Sequence, residues 1–139
     1  MFSWKRPGNL GVRNARLAPC KRTPNCVSSQ ADPADAEHYI APIPFKGDAI
    51  AAVRRAVEST PRTSIIQTQA NYLYAEFRTR LLRYVDDVEF FHDDQAGVIH
   101  VRSASRLGRR DFGVNRKRFE ELRSRLSSSA ARSPRGDVP

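Results

Sequence analysis

The stretch that decides the fold is Tyr84-Val-Asp-Asp-Val-Glu-Phe-Phe-His-Asp-Asp-Gln-Ala-Gly-Val-Ile-His-Val-Arg-Ser-Ala-Ser105. Two runs rich in β-branched and aromatic residues flank a polar turn at residues 93–96, which is the pattern of a β-hairpin. A loop of those four residues pairs His92 with Gly97 and so sets the register. The register depends on loop length alone, and a slip of one residue exchanges the two faces.

This register gives each charged residue of the first strand a partner. Asp87 is predicted to face Arg102, and Glu89 to face His100, as cross-strand pairs on one face. Asp86 is predicted on the apolar face, where a buried carboxylate needs hydrogen-bond donors. The candidate donors are Ser103, Ser105 and backbone amides of the loop that follows them.

Around the hairpin, the pattern predicts two more strands and two helices. The strands are Thr63–Thr68 and Asn71–Arg78. The first helix begins after Asp48, whose short acceptor side chain suits an N-cap, and it stops before Pro61. The last helix runs from about Val114 to Leu126, with apolar residues at helical spacing. This order predicts an α+β fold, a four-stranded antiparallel sheet covered by two helices.

Both ends of the chain have irregular composition. Four prolines lie in residues 1–36, which predicts an irregular N-terminal arm. Tyr39–Phe45 is apolar but contains two prolines, so we expect an extended segment at the sheet edge. The predicted division is a flexible basic N-terminus at 1–16, a single α+β domain at 17–126 and a disordered tail at 127–139.

The 139 residues carry a formal net charge of +9 that is unevenly distributed. Residues 1–30 have six cations and no acid, residues 31–100 have seven cations and eleven acids, and residues 101–139 have eleven cations and four acids. Basic flanks around an acidic body favour an anionic small molecule or protein partner. Nucleic acid is disfavoured, because no known binding motif or stacking strand accompanies the cations. With neither a secretory leader nor a transmembrane segment visible, we expect a cytoplasmic location.

The segment from Arg102 to Arg118 holds seven cationic side chains and one acid, Asp111. One interpretation makes it a pocket for a phosphate or carboxylate; the other makes its arginines internal staples for the acidic strand and the N-terminal arm. The candidate ligand-binding residues are Arg102, Arg106, Arg109, Asn115, Arg116 and Arg118, with Asp86, Asp87 and Ser28.

Two cysteines, Cys20 and Cys26, are separated by five residues. The spacing allows a disulfide, a pair of free structural thiols or a reactive nucleophile. It does not fit zinc, because cysteine ligands are usually two to four residues apart and a second pair is missing. The sequence therefore predicts neither a metal site nor a cofactor.

Three functions remain open from the residues. A small non-enzymatic binding or accessory domain is favoured by the opposite charges of the acidic strand and the basic segments. A hydrolase-like enzyme would use Cys26 or Ser28 with His38 or His100, although such sets assemble only in space. A structural subunit of a larger assembly would use the basic ends for docking.

Several ordered blocks resemble the family catalogued as domain of unknown function 1499. They are Pro24-Asn-Cys-Val-Ser-Ser-Gln30, His38-Tyr-Ile40, Pro61-Arg-Thr63, Tyr72-Leu-Tyr-Ala-Glu76, Val85-Asp-Asp-Val-Glu-Phe90, Val101-Arg-Ser-Ala-Ser-Arg106 and Asp111-Phe-Gly-Val-Asn-Arg-Lys-Arg118. The resemblance spans roughly residues 17–126 and implies one domain. It implies no catalytic residue and no cofactor. Many relatives are exported or membrane-associated, whereas this sequence shows no apolar leader or anchor.

Overall fold

The computed structural model describes residues 5–80, 84–106 and 113–136. Its elements in chain order are β1 (Cys26–Ser28), β2 (Ile43–Pro44), α1 (Ala49–Glu58), β3 (Thr63–Thr68), β4 (Tyr72–Arg78), β5 (Val85–Asp93), β6 (Val98–Ser105) and α2 (Val114–Gly136). The predicted α+β class is confirmed.

The six strands form one antiparallel sheet in the order β1-β6-β5-β4-β3. β1 lies along the C-terminal part of β6, and β2 lies along its N-terminal part. The predicted count of four strands is therefore wrong. β1 and β2 have only three and two residues, too few to show the alternation that identifies a strand from sequence. The extended segment does reach the sheet edge, through β2.

The loop of the β5–β6 hairpin lies one position later than predicted. Asp93 still belongs to β5 and pairs with Val98, so residues 94–97 form the loop. The Asp93 carboxylate accepts a hydrogen bond from Ala96 N, and Asp93 O accepts one from Gly97 N. Gly97 adopts φ +68°, a value that favours glycine. Local capping by Asp93 thus selects the turn.

This loop moves every cross-strand partner by two residues. Glu89 lies opposite Arg102, Asp87 opposite Ala104, and His100 opposite Phe91. The predicted pairs Asp87–Arg102 and Glu89–His100 are therefore wrong. Because side chains alternate with a period of two, a shift of two residues leaves each one on its predicted face.

The helices begin where the sequence predicts. The Asp48 side chain caps α1 by accepting a hydrogen bond from Ala51 N at 3.1 Å. α2 continues ten residues past the expected end at Leu126, to Gly136. Serine, alanine and arginine follow Leu126, with no glycine or proline before Pro134 to end the helix near Leu126. The predicted domain division stays a prediction.

The core lies between the two helices and one face of the sheet, the inner face. Phe119 of α2 meets Phe90 of β5 edge to face, with ring centroids 5.8 Å apart. Both side chains are fully buried, as are Val53, Val57, Leu73, Ala75, Val88, Ile99 and Val101. In the described ranges, neither helix is long and apolar enough to cross a bilayer.

The opposite, outer face of the sheet is covered by residues 5–17, here called the strap. Leu17 is buried against Tyr72 and Tyr74, and Leu10 and Val12 pack half-buried beside them. The strap turns through the left-handed residues Asn14 and Ala15. The predicted flexibility of residues 1–16 stays a prediction.

Candidate functional site

Three buried carboxylates on β5 define the polar interior of the protein. Asp86 points to the inner face, whereas Asp87 and Glu89 point to the outer face, since side chains alternate along a strand. Each is at most 1% exposed. Buried charge is tolerated only where it is paired and hydrogen-bonded, so each carboxylate requires partners.

The inner carboxylate, Asp86, is held by β6 and α2. Ser105 Oγ donates to Asp86 Oδ1 at 2.6 Å, so one of the predicted donors is confirmed. Arg118 Nη1 forms an ion pair with Asp86 Oδ2 at 2.8 Å, and its guanidinium stacks over the Phe77 ring at 4.9 Å. Arg118 also donates to Asn115 Oδ1 at 2.9 Å. This group fastens the start of α2 to the sheet.

On the outer face, Arg106 holds Asp87 with a two-pronged contact. Arg106 Nε and Nη2 each lie 2.9 Å from one Asp87 oxygen. Nη2 also lies 2.7 Å from Glu76 Oε2, and Tyr74 OH donates to Asp87 Oδ1. Hydrogen bonding to Asp87 raises the pKa of Arg106, and burial raises the pKa of Tyr74. Burial opposes ionisation of Glu76, but hydrogen bonds from Arg6 and Arg106 lower its pKa overall.

Glu89 is held beside this group by β4 and the strap. Its Oε2 accepts hydrogen bonds from Tyr72 OH at 2.6 Å and from Gly11 N at 2.7 Å. Its Oε1 lies 3.5 Å from Arg102 Nη1 and accepts no hydrogen bond from the described residues. Burial raises the pKa of Glu89 despite the opposing effect of these donors. The staple interpretation of the arginines therefore describes the contacts of Arg102, Arg106 and Arg118.

The two cysteines form a disulfide. The Cys20 and Cys26 sulfurs are 2.08 Å apart, which confirms the disulfide among the three alternatives. The bond closes a short loop at the start of β1 and holds Lys21 and Asn25 near the end of β6. With its sulfur in this bond, Cys26 is not a nucleophile.

A cavity of about 540 Å³ lies where the strap, the disulfide loop and the ends of β5 and β6 meet. We call it the strap cavity. Its lining includes Lys5, Lys21, Arg102, Arg106 and Asp87, with neutral groups from Pro7, Gly8, Asn9, Thr23, Asn25, Cys26, Ala104 and Ser105. Four cations thus face one acid, and that acid already binds Arg106.

The cavity collects only some of the predicted site residues. Asn115 and Arg118 lie with Asp86 in the inner group, and Arg116 donates to the carbonyls of Ala36 and Glu37. Arg109 lies outside the described residues. Sequence reasoning missed Lys5 and Lys21 as site residues. The absence of any acid in residues 1–30 was the signal that could have found them.

The residues of the hydrolase alternative come close to one another only in part. Ser28 and His38 both line a second cavity, of about 260 Å³. Ser28 Oγ accepts a hydrogen bond from Gln30 N, whereas the His38 ring nitrogens contact Asp35 and Thr23, so no hydrogen bond joins the Ser28 and His38 side chains among the described residues. Ser29 Oγ does lie 2.9 Å from His100 Nδ1, but it also accepts a hydrogen bond from Val101 N at 2.8 Å. Ser29 is buried and ties the end of β1 to β6. The contact between Ser29 and His100 is therefore part of the packing of residues 28–29 against β6.

His38 has acceptors at both ring nitrogens. Nδ1 lies 2.8 Å from Asp35 Oδ2, and Nε2 lies 2.8 Å from Thr23 O. Burial opposes protonation, yet these two contacts raise the pKa of His38 overall. His38 therefore links the disulfide loop, through Thr23, to the turn that contains Asp35. Among the described residues, no group of three His, Cys, Asp or Glu side chains is placed to hold a metal ion.

The fold and site define the class as a small α+β domain with a disulfide loop and a buried charge network. Residues 16–126 match the model of a family described as protein of unknown function DUF1499. The chain therefore belongs to the DUF1499 family. None of the curated proteins matches this chain.

Proposed function

We propose that this protein is a small, non-enzymatic binding domain that recognises an anionic group in the strap cavity. The observation that carries the proposal is the charge of the lining, which has four cations against one acid. Excess charge of one sign in a cavity with low-dielectric walls attracts the opposite charge. The ligand class is therefore a phosphate or a carboxylate, presented by a small molecule or by a partner protein.

The cations of the cavity have different roles. Arg106 is neutralised by Asp87 and Glu76, and Arg102 lies beside Glu89. Lys5 and Lys21 are exposed, and neither makes a hydrogen bond or ion pair with the described residues. The two lysines are the uncompensated charges, so they should contribute most of the electrostatic attraction.

Arg102 supplies a directional donor. Its side chain is 5% exposed, and its Nε lacks a hydrogen-bond acceptor among the described residues. A buried donor without an acceptor costs about 1–3 kcal/mol, so an anion that reaches Arg102 Nε recovers part of that cost. Charge-assisted hydrogen bonds of this kind favour oxyanions.

Isothermal titration calorimetry with inorganic phosphate and with citrate tests the proposal. We compare the unaltered protein with Lys5→Gln/Lys21→Gln and with the matched control Lys46→Gln/Lys117→Gln. The control pair removes two exposed lysines that do not line the strap cavity. The proposal expects binding that weakens roughly tenfold in the cavity variant, about 1.4 kcal/mol, and changes little in the control.

Two outcomes would contradict the proposal. If the unaltered protein binds neither anion at low ionic strength, the cavity is not an anion site. If both double variants weaken binding equally, the attraction comes from net charge and not from the strap cavity. The proposal also expects anion binding in the strap cavity to weaken as the salt concentration rises, because salt screens exposed charges.

A further inference from the structure

Residues 18–22, here called the cysteine arm, carry Lys21 to the strap cavity. Among the described residues, the arm makes one hydrogen bond, in which Arg102 Nη2 donates to Pro19 O at 3.4 Å. None of its residues is buried, and three of the five are exposed. Packing and hydrogen bonding therefore contribute little to the position of the arm, and the Cys20–Cys26 disulfide is its main attachment to the rest of the domain.

The residues that flank the arm and its disulfide are fixed by other contacts. Leu17 is buried, and its backbone nitrogen donates to Gln30 Oε1 at 2.7 Å. At the other end, Thr23 O lies 2.8 Å from His38 Nε2. Cys26 belongs to β1 and pairs with β6 through the backbone. None of these contacts needs the sulfur–sulfur bond, so its cleavage removes an attachment of the arm alone.

The disulfide decides whether the arm is ordered. Every residue that is held in one conformation loses conformational entropy, and the loss over five residues outweighs the gain from a single long hydrogen bond. The arm therefore stays ordered only while the disulfide joins it to β1. Lys21 is one of the two uncompensated cations that line the strap cavity. The position of that charge thus depends on a bond that can be broken chemically.

We propose that the Cys20–Cys26 bond is a redox switch of the strap cavity. In the oxidised protein Lys21 is held at the cavity, and reduction by a dithiol frees the cysteine arm and weakens anion binding. This switch rests on the proposed function, because it acts only if the strap cavity binds an anion. It adds a regulator to that site, namely a dithiol reductant.

The reduction is a thiol–disulfide exchange in two steps. A thiolate of the reductant attacks the sulfur of Cys20, the more exposed of the two residues, and the sulfur of Cys26 leaves as a thiolate and takes up a proton. The second thiol of the reductant then displaces Cys20 and forms the reductant's own disulfide. Two electrons pass from the dithiol to the protein, and its two protons end on Cys20 and Cys26.

The size of the effect follows from the two lysines of the cavity. Together they are expected to change anion affinity about tenfold, so equal shares give about threefold for Lys21 alone. Coupling between two equilibria is reciprocal, so a saturating anion should also make the disulfide about threefold harder to reduce.

Isothermal titration calorimetry with inorganic phosphate tests the switch on the oxidised protein and on the protein reduced with dithiothreitol, an uncharged dithiol. We compare the unaltered protein, Lys21→Gln and the matched variant Lys5→Gln. Lys5 also lines the strap cavity and is exposed, but it lies outside the disulfide loop. Backbone ¹⁵N relaxation of Lys21 and Arg22 reports whether the arm becomes mobile, and the Val27 amide reports whether β1 stays in place.

Reduction should weaken phosphate binding about threefold in the unaltered protein and in Lys5→Gln. In Lys21→Gln reduction should change the affinity less than about 1.5-fold, because the charge that the arm positions is already absent. The amides of Lys21 and Arg22 should become mobile on the picosecond-to-nanosecond timescale, while Val27 keeps its chemical shift.

Four outcomes would overturn the switch. Equal phosphate affinity of the oxidised and reduced protein would overturn it and leave the proposed function standing, whereas absence of binding to the oxidised protein would overturn both. An equal loss on reduction in Lys21→Gln and in the unaltered protein would show that the effect does not act through Lys21. Unfolding on reduction, seen as loss of the Val27 signal, would overturn the local release of the cysteine arm.

Discussion

Replacing Arg106 with alanine removes the guanidinium that joins Asp87 to Glu76. The three side chains are 6%, 1% and 6% exposed, so the variant leaves two carboxylates in a buried site with fewer partners. Breaking a buried ion pair from one side costs about 3–5 kcal/mol, because the remaining charge is uncompensated. We expect a loss of that size in the free energy of unfolding at pH 7. Arg6 still contacts Glu76, which favours the lower end of the range.

Urea denaturation monitored by tyrosine fluorescence and circular dichroism measures this loss, with the control Arg54→Ala. Arg54 forms an exposed helical pair with Glu58, and such pairs contribute about 0.3–0.5 kcal/mol. The difference between the two variants should shrink in acid. Because the folded pKa of Glu76 is lowered, its stabilising contribution is present above its unfolded pKa and is lost as the pH falls through the folded pKa. A loss below about 1 kcal/mol for Arg106→Ala would refute the reasoning.

Three further predictions concern the core, the histidines and the strap. Phe119→Ala should cost about 3–5 kcal/mol in chemical denaturation, because it empties a fully buried ring site between α2 and β5; a loss under 1 kcal/mol would contradict the packing. In an NMR titration the pKa of His38 should lie above 6.5 and that of His100 below it, and the reverse order would be inconsistent with the described contacts. Because the folded pKa of His38 is raised, its stabilising contribution should be present below pH 6.5 and lost as the pH rises through the folded pKa. Ala15→Gly should stabilise the fold by about 0.5–1 kcal/mol, because φ +59° is costly for alanine, and a destabilised variant would argue against the described turn.

The fold could be predicted from local signals where those signals are long or chemically specific. Thr63–Thr68 and the start of α1 after Asp48 have the predicted bounds, because alternation and N-capping are properties of neighbouring residues. β1 and β2 could not be predicted, since their pairing with β6 depends on contacts far along the chain. The predicted register of the β5–β6 hairpin is wrong by two residues. Loop length alone does not select the turn, because the Asp93 side chain also caps it.

The site was predicted in outline only. Asp87, Arg102 and Arg106 were among the candidate ligand-binding residues, and they line one cavity together with Cys26. The sequence placed Asp86 and Asp87 on opposite faces, but it could not assign Arg118 to Asp86 or Arg106 to Asp87, because these contacts depend on how the elements pack in space. The role of the strap was also hidden, since its contacts are a few residues on an otherwise irregular segment.

The disulfide bears on the expected location. Disulfides persist mainly in oxidising compartments, so the redox state of the Cys20–Cys26 pair in cells is informative about location. The cytoplasmic expectation from the sequence stays a prediction. Labelling of cysteine thiols in rapidly acid-quenched cells would show the redox state, because only a reduced pair reacts.

The most direct test of the central claim is an NMR titration of the ¹⁵N-labelled protein with inorganic phosphate. The account predicts saturable shifts of the backbone amides of Lys21, Asn25, Ala104 and Arg106, which surround the strap cavity, with little change in α1. Absent shifts at those amides, or equal small shifts over the whole surface, would contradict an anion site in the strap cavity.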